Sequence, residues 1–337
     1  MIIVLKPGIA RKEETAVLRE IRKLGYTPHV MRGVARTVIG AIGDERTHAN
    51  LEALAIWPQV ESVTPIQKRY KLVSREAHPS DSTVTARKVV IGGKKFQVMA
   101  GPCSVESEDQ LLRTAVAVRE AGATLLRGGA FKPRTSPYEF QGLGEKGLKL
   151  LAKARRETGL PVVTELLSEN HADLVAEYAD ILQIGTRNAQ NFQLLVAAAK
   201  TGKPVLLKRG MAMRIEEWLL AGEYILANDN PGLLFCERGI RTFENYTRNT
   251  LDLSVVPILK AETHLPVVID PSQGTGKASL VTAMCKGAIA MGADALIIEV
   301  HPNPAEAWSD GAQQVTLDGF RKLMAEIRPF VAAAGRE

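Results

Sequence analysis

The stretch LLRGGAFKPRTSPYEFQGLG carries Arg127, Lys132 and Arg134 close together. Guanidinium groups offer forked donors that match phosphate and carboxylate, while a lysine supplies a mobile point charge. The KPRTSP segment holds no acidic residue, so these cations are expected to meet anions brought by a ligand rather than local salt-bridge partners. Arg187, Lys208 and Arg238 each follow a separate apolar run, and together the set has charge enough for two phosphates and a carboxylate. A second constellation is Cys103, Glu299 and Asp310. A thiolate with carboxylates can hold a divalent transition metal and leave positions open for a substrate oxygen. A buried cysteine taken alone is more often inert. His301 lies two residues after Glu299 and would share its face on a strand, which makes it a candidate site residue without making it a ligand.

Such scattered residues need a scaffold that gathers them. Eight short apolar runs recur with helical stretches between them: FQVMAGPCS, ATLLRGG, PVVTE, DILQIG, PVLLKRG, LLFCERG, PVVIDPS and ALIIEVH. Nearly continuous apolar strands alternating with helices describe an α/β protein with a closed parallel (β/α)8 TIM barrel. An open doubly wound sheet would be expected to show a glycine-rich fingerprint after its first strand, and GPCS is not one. The runs end in Cys103, Arg127, Glu165, Arg187, Lys208, Arg238, Asp270 and Glu299. In a TIM barrel those ends form the active-site face, so residues distant in sequence converge on one pocket.

The N-terminal part reads strand (residues 1–5), amphipathic helix (11–24), strand (27–32), strand (36–42), helix (47–56) and strand (61–66). This βαββαβ order describes a ferredoxin-like sandwich, a plan shared by many amino-acid-sensing domains and equally suited to plain oligomerisation. Polar, aperiodic sequence containing Pro79 marks a linker over residues 67–88, leaving 89–337 for the barrel. VVIGGKKFQV suggests a hairpin turning around Gly92-Gly93 that could cover the barrel's bottom.

Length fits this division, since 337 residues accommodate a barrel of roughly 250 plus a small partner. The formal charge of +6 admits nucleic acid or anionic metabolites. With aromatics at only 5% and the telling cations placed singly after apolar runs, phosphate-bearing metabolites are favoured over nucleic acid. No apolar run is long enough for a membrane span. The N-terminus lacks the order of a signal peptide, and three scattered cysteines suggest a reducing, cytoplasmic setting.

At these residues the sequence resembles the 3-deoxy-D-arabino-heptulosonate 7-phosphate (DAHP) synthases of type Iβ. The resemblance runs through AGPCSVES, LRGGAFKPRTSPYEFQGLGEKGL, QIGTRNAQNF, KPVLLKRG, CERGIRTFENYTRNTLDLS, the DPS turn and EVHPNPAEAWSDG, with MIIVLKPG and RTVIGAIGD resembling the fused ferredoxin-like regulatory domain. It implies a transferase that joins phosphoenolpyruvate to erythrose 4-phosphate and water, releasing phosphate, at the head of the shikimate pathway to aromatic amino acids. By motif, Arg127, Lys132, Arg187, Lys208 and Arg238 are expected to hold phosphoenolpyruvate, with Lys132 nearest the reacting carbon. Arg134 and Thr135 are expected on the phosphate of erythrose 4-phosphate, and Asp270 near the sugar. Cys103, Glu299 and Asp310 match metal ligands. In the N-terminal domain His29 fits a position associated with aromatic amino acids, although Met31 stands where a small polar residue is usual. The resemblance further implies allosteric control by tyrosine or phenylalanine, and a homotetramer.

One departure stands out. After Asp270-Pro271-Ser272 the family carries a histidine metal ligand, and this chain has Gln273. An amide oxygen reaches about as far as the distal imidazole nitrogen but is harder, which shifts preference toward manganese or magnesium. Gln273 is therefore expected as the fourth ligand of a divalent metal, manganese first. Two other readings follow: a sibling enzyme forming an octulosonate phosphate from arabinose 5-phosphate, against which KPRTSP argues, and a catalytically weakened metabolite-binding homologue.

Overall fold

The computed structural model describes residues 1–33, 36–43, 48–64 and 69–337, which fall into two compact units, Met1–Arg69 and Tyr70–Glu337. In the first, β1 (Ile2–Leu5), β2 (Thr27–Arg32), β3 (Thr37–Ile42) and β4 (Val60–Thr64) form an antiparallel sheet of order β2-β3-β1-β4. The helix α1 (Arg11–Lys23) carries acids in its first turn and bases in its last, matching the helix dipole. Its Val17 and Ile21 join Ile3, Leu5, Ile39 and Leu54 in a core. The second expected helix is a short α2 (His48–Glu52) followed by a 3-10 turn over Ala53–Ile56. Its expected first residue, Thr47, lies outside the described residues, as do the last residues of the expected fourth strand. The order is the expected βαββαβ.

The second unit is a closed barrel. Its strands are β7 (Gln97–Gly101), β8 (Leu125–Arg127), β9 (Val162–Glu165), β10 (Ile181–Ile184), β11 (Val205–Lys208), β12 (Leu233–Glu237), β13 (Val267–Ile269) and β14 (Ala295–Glu299). All neighbours pair in parallel, and β14 closes on β7 with Ala295 opposite Gln97 and Glu299 opposite Gly101. Each of the eight apolar runs supplies one strand. Alternate side chains point outward to the helix layer and inward to a core of Met99, Leu125, Val163, Ile181, Leu206 and Leu234 among others.

Two expectations about residues 67–93 change. Gln67 and Lys68 lie outside the described residues, but from Tyr70 onward the expected linker is fastened to the barrel. Glu223 accepts from the backbone N–H groups of Lys71, Leu72 and Val73. Arg75 donates to the carbonyls of Lys260 and Thr263. The hairpin also turns earlier than expected. It joins β5 (Val84–Ala86) to β6 (Val89–Ile91) through Arg87-Lys88, with Arg87 in the left-handed region at φ 53°. Gly92 serves a close approach instead: at φ 93°, a Cβ there would sit 2.7 Å from Pro266 and 2.8 Å from the Ser82 carbonyl. The hairpin's Val84, Ala86 and Ile91 pack with the barrel's interior residues, closing the end opposite the strand C-termini.

Candidate active site

Strand-end residues meet at the barrel's C-terminal face. Arg127, Lys132, Arg134, Thr135, Arg187, Lys208 and Arg238 line one cavity together with Glu165, Gln273 and Asp310. Every cation expected to hold an anion is therefore in one place, yet several also have protein partners. Arg127 ends β8 and donates to Glu299 Oε1 at 2.6 Å and to the Pro102 carbonyl. Lys208 ends β11 and donates to Asp270 Oδ2 at 2.5 Å. Arg134 pairs with the half-exposed Glu139 at 2.9 Å, so the loop cation does have a local acid, supplied just beyond KPRTSP. Asp270, expected near the sugar, is buried and does not line the cavity. Its second oxygen caps the short helix α9 (Pro271–Thr275) by accepting from the Gln273 N–H.

Lys132 donates to both the carbonyl and the sulfur of Cys103, each at 3.0 Å. Burial opposes its charge, but Cys103 and Glu299 outweigh that and raise its pKa. Burial pushes the Cys103 thiol up to about 11, Glu299 adding to the rise. Burial likewise opposes the charge of Glu299, but Arg127 and Lys132 draw its carboxyl well below the usual range. Three polar atoms of cavity-lining residues are buried without partners: Arg127 Nε, Arg238 Nη1 and Thr186 Oγ1. Desolvation lowers the pKa of Arg238 accordingly.

Ligand atoms of Cys103, Glu299 and Asp310 lie within 4.8 Å of one another, and this group could hold a metal ion. As three donors the set fits, combining a sulfur with two carboxylates. Gln273 does not supply the fourth in the orientation found. Its Nε2 donates to Glu299 Oε1 at 3.0 Å and to Asp310 Oδ2 at 3.2 Å, while its Oε1 accepts from Arg238 at 3.1 Å. His301 stands apart from the donor group: its Nε2 meets Glu106 at 3.2 Å and its Nδ1 accepts from the Asn303 N–H.

Some contributors went unnoticed in the sequence. Arg248 reaches Asp310 at 3.2 Å and donates to Gln313, which in turn donates to Glu299 Oε2 at 2.6 Å. Arg248 sits inside the motif CERGIRTFENYTRNTLDLS, but only the loop's return across the barrel mouth reveals its target. Gly185 admits the Glu165 carboxylate, since a Cβ there would lie 2.0 Å from Glu165 Oε1. In the N-terminal unit, His29 is exposed on β2, opposite Gly40 in register.

Against known families, residues 72–332 match the DAHP synthetase I family and residues 1–68 match the DAHP synthase ferredoxin-like domain. The chain belongs to the DAHP synthetase I family. It is 50% identical to a phospho-2-dehydro-3-deoxyheptonate aldolase of Thermotoga maritima over 99% of both chains. A crystal structure of the Thermotoga maritima phospho-2-dehydro-3-deoxyheptonate aldolase (DAHP synthase) superposes with a TM-score of 0.94 at 49% identity, covering 100% of this chain and 98% of that one. A 2-dehydro-3-deoxyphosphooctonate aldolase of Caulobacter vibrioides is 34% identical, covering 78% of this chain and 97% of its own. Among the described residues, no helix is long and apolar enough to cross a membrane.

Proposed function

We infer that this chain is a DAHP synthase, condensing phosphoenolpyruvate with erythrose 4-phosphate and water to DAHP and phosphate, the first step of the shikimate pathway. The heptulosonate reading is favoured over the octulosonate one because full-length similarity, N-terminal domain included, is to the heptonate enzyme, at 50% identity against 34%.

The observation that carries the assignment of roles is the set of unpaired buried donors on the cavity wall, Arg127 Nε and Arg238 Nη1 above all. A buried donor left unmade costs about 1–3 kcal/mol, and a bound anion removes that cost. Phosphoenolpyruvate brings a phosphate and a carboxylate. Arg127, Lys132, Arg187, Lys208 and Arg238 bind them and orient C3 toward the sugar aldehyde, with Lys132 beside the reacting carbon. Arg134 and Thr135 take the phosphate of erythrose 4-phosphate, in exchange for the surface ion pair with Glu139, which is worth little by itself. Asp270 acts through Lys208, fixing its ammonium. Holding both substrates in register does most of the work, because the reaction requires no covalent nucleophile from the protein. Cys103, Glu299 and Asp310 would hold a divalent cation, manganese in our reading, which when bound supplies Lewis-acid polarisation of the aldehyde.

The N-terminal ferredoxin-like domain is proposed as regulatory, with tyrosine or phenylalanine as effector at the His29 strand, and the assembly as a homotetramer. The three free cysteines, all buried, fit a cytoplasmic setting. The test is the initial rate of phosphoenolpyruvate loss with erythrose 4-phosphate, beside arabinose 5-phosphate. Turnover with the four-carbon sugar alone is expected. Turnover with the pentose alone would give the octulosonate reading, and none with either would leave a metabolite-binding homologue. Unchanged rates across a range of added tyrosine and phenylalanine would remove the effector role, and sedimentation velocity reports the assembly.

A further inference from the structure

We propose that Gln273 is a hydrogen-bonded stand-in for the divalent cation: its amide nitrogen joins Glu299 to Asp310, Arg238 locks it there, and the pocket is thereby organised for anion binding without metal. The proposal rests on reading Cys103, Glu299 and Asp310 as cation donors. It adds that a cation must compete with an internal occupant.

Two carboxylate oxygens converge on one nitrogen, Glu299 Oε1 at 3.0 Å and Asp310 Oδ2 at 3.2 Å. A primary amide nitrogen has two hydrogens, one for each oxygen. The oxygen and nitrogen of a glutamine are told apart by their partners, and here the partners agree. Arg238 can only donate, so the amide atom 3.1 Å from its Nη2 is the oxygen. Turning the amide over would set its oxygen against both carboxylates and its nitrogen against a guanidinium, replacing three attractions with three repulsions. An imidazole could not do the same job, because each of its nitrogens carries at most one hydrogen.

The other carboxylate oxygens are also engaged. Arg127 shares Glu299 Oε1 and Gln313 takes Oε2. On the other carboxylate, Arg248 takes Asp310 Oδ1, while the Cys103 thiol donates to Oδ2 at 3.5 Å. Each oxygen of the carboxylate pair therefore has a hydrogen-bond donor or, for Asp310 Oδ1, an ion-pair partner. The backbone of Gln273 is pinned as well, its N–H on Asp270 and its carbonyl accepting from Asn249. Arg238 belongs to the anion cavity, so the amide that closes the donor group also positions a cation meant for substrate.

The experiment compares chelator-stripped parent, Gln273→His and Gln273→Met. Manganese affinity is read from the paramagnetic resonance signal of free Mn2+, and phosphoenolpyruvate affinity by calorimetry in EDTA without the sugar. Parent is expected to bind phosphoenolpyruvate in EDTA and to bind Mn2+ at least about tenfold more weakly than Gln273→His, the scale on which such neighbours tune metal sites. Gln273→Met, folded by circular dichroism, is expected to lose about tenfold or more in phosphoenolpyruvate affinity in EDTA, as two carboxylates lose their shared donor. Parent binding Mn2+ as tightly as Gln273→His, parent failing to bind phosphoenolpyruvate in EDTA while doing so with Mn2+, or an unaffected Gln273→Met would each overturn the proposal alone. Absence of Mn2+ binding in Gln273→His as well would overturn the cation-donor reading and this proposal with it.

Discussion

Arg127 and Glu299 meet at 2.6 Å although they end different strands, β8 and β14, which flank β7 on either side. Both side chains are buried, so the pair spans the seam where the barrel closes. Removing one member strands the other's charge. Arg127→Met is expected to lower unfolding free energy by roughly 3–5 kcal/mol and to abolish measurable phosphoenolpyruvate binding. Urea unfolding and calorimetry check the two effects separately, and a variant as stable as the parent would contradict the first.

Lys208 holds Asp270 at 2.5 Å at the cavity wall. Lys208→Met removes a charge-assisted contact worth about 1.5–3 kcal/mol, so phosphoenolpyruvate affinity should fall about 10- to 150-fold. Lys208→Arg should recover little of it, because a planar fork does not replace a compact ammonium. Titration calorimetry decides; full recovery by arginine would show that only net charge matters there.

Gly185→Ala places a methyl where the Glu165 carboxylate now lies. Burial already raises the Glu165 pKa, and displacing the group into the cavity shifts cations that face it. We expect kcat/KM to fall about tenfold or more, on the scale of small misplacements in a preorganised site, with far-UV circular dichroism unchanged. Parent-like kinetics would mean that Glu165 is free to move.

Acid should weaken the barrel unit through His264. Its Nε2 lies 2.9 Å from the Leu72 carbonyl and its Nδ1 2.7 Å from the Ser82 hydroxyl, which fits a neutral ring donating to one and accepting from the other. Burial lowers its pKa below the ordinary 6.5. As pH falls through 6.5 the unfolded chain takes up the proton first, so stability drops until the folded-state pKa is reached and then levels off. Urea midpoints between pH 7.5 and 5 (a span of about two and a half units around the ordinary histidine value) should fall less steeply for His264→Gln. Identical slopes for the two proteins would assign the acid sensitivity elsewhere.

The barrel was readable because each buried parallel strand is nearly all apolar, and because a polar residue follows each one. The sequence alone thus assigns Arg127, Lys208 and Arg238 to one face. What could not be read were relations between strands. That Arg127 would find Glu299 depends on β8 and β14 both neighbouring β7, and that Gln273 would present nitrogen rather than oxygen depends on Arg238 facing it. The hairpin's position is not legible because its turn, Arg87-Lys88, contains neither glycine nor asparagine, while Gly92 beyond it is required by the close approach of Pro266.

The β5–β6 hairpin belongs by packing to the barrel and by sequence to the stretch just after the N-terminal domain. A shortened protein beginning near Tyr70 would retain Val84, Ala86 and Ile91 as the barrel's floor, whereas one beginning at Gly92 would expose Met99, Leu206 and Leu234 to water. The hairpin thereby sets how short the protein can be cut from its N-terminal side: a boundary before Val84 leaves the barrel's floor in place, and one after Ile91 removes it.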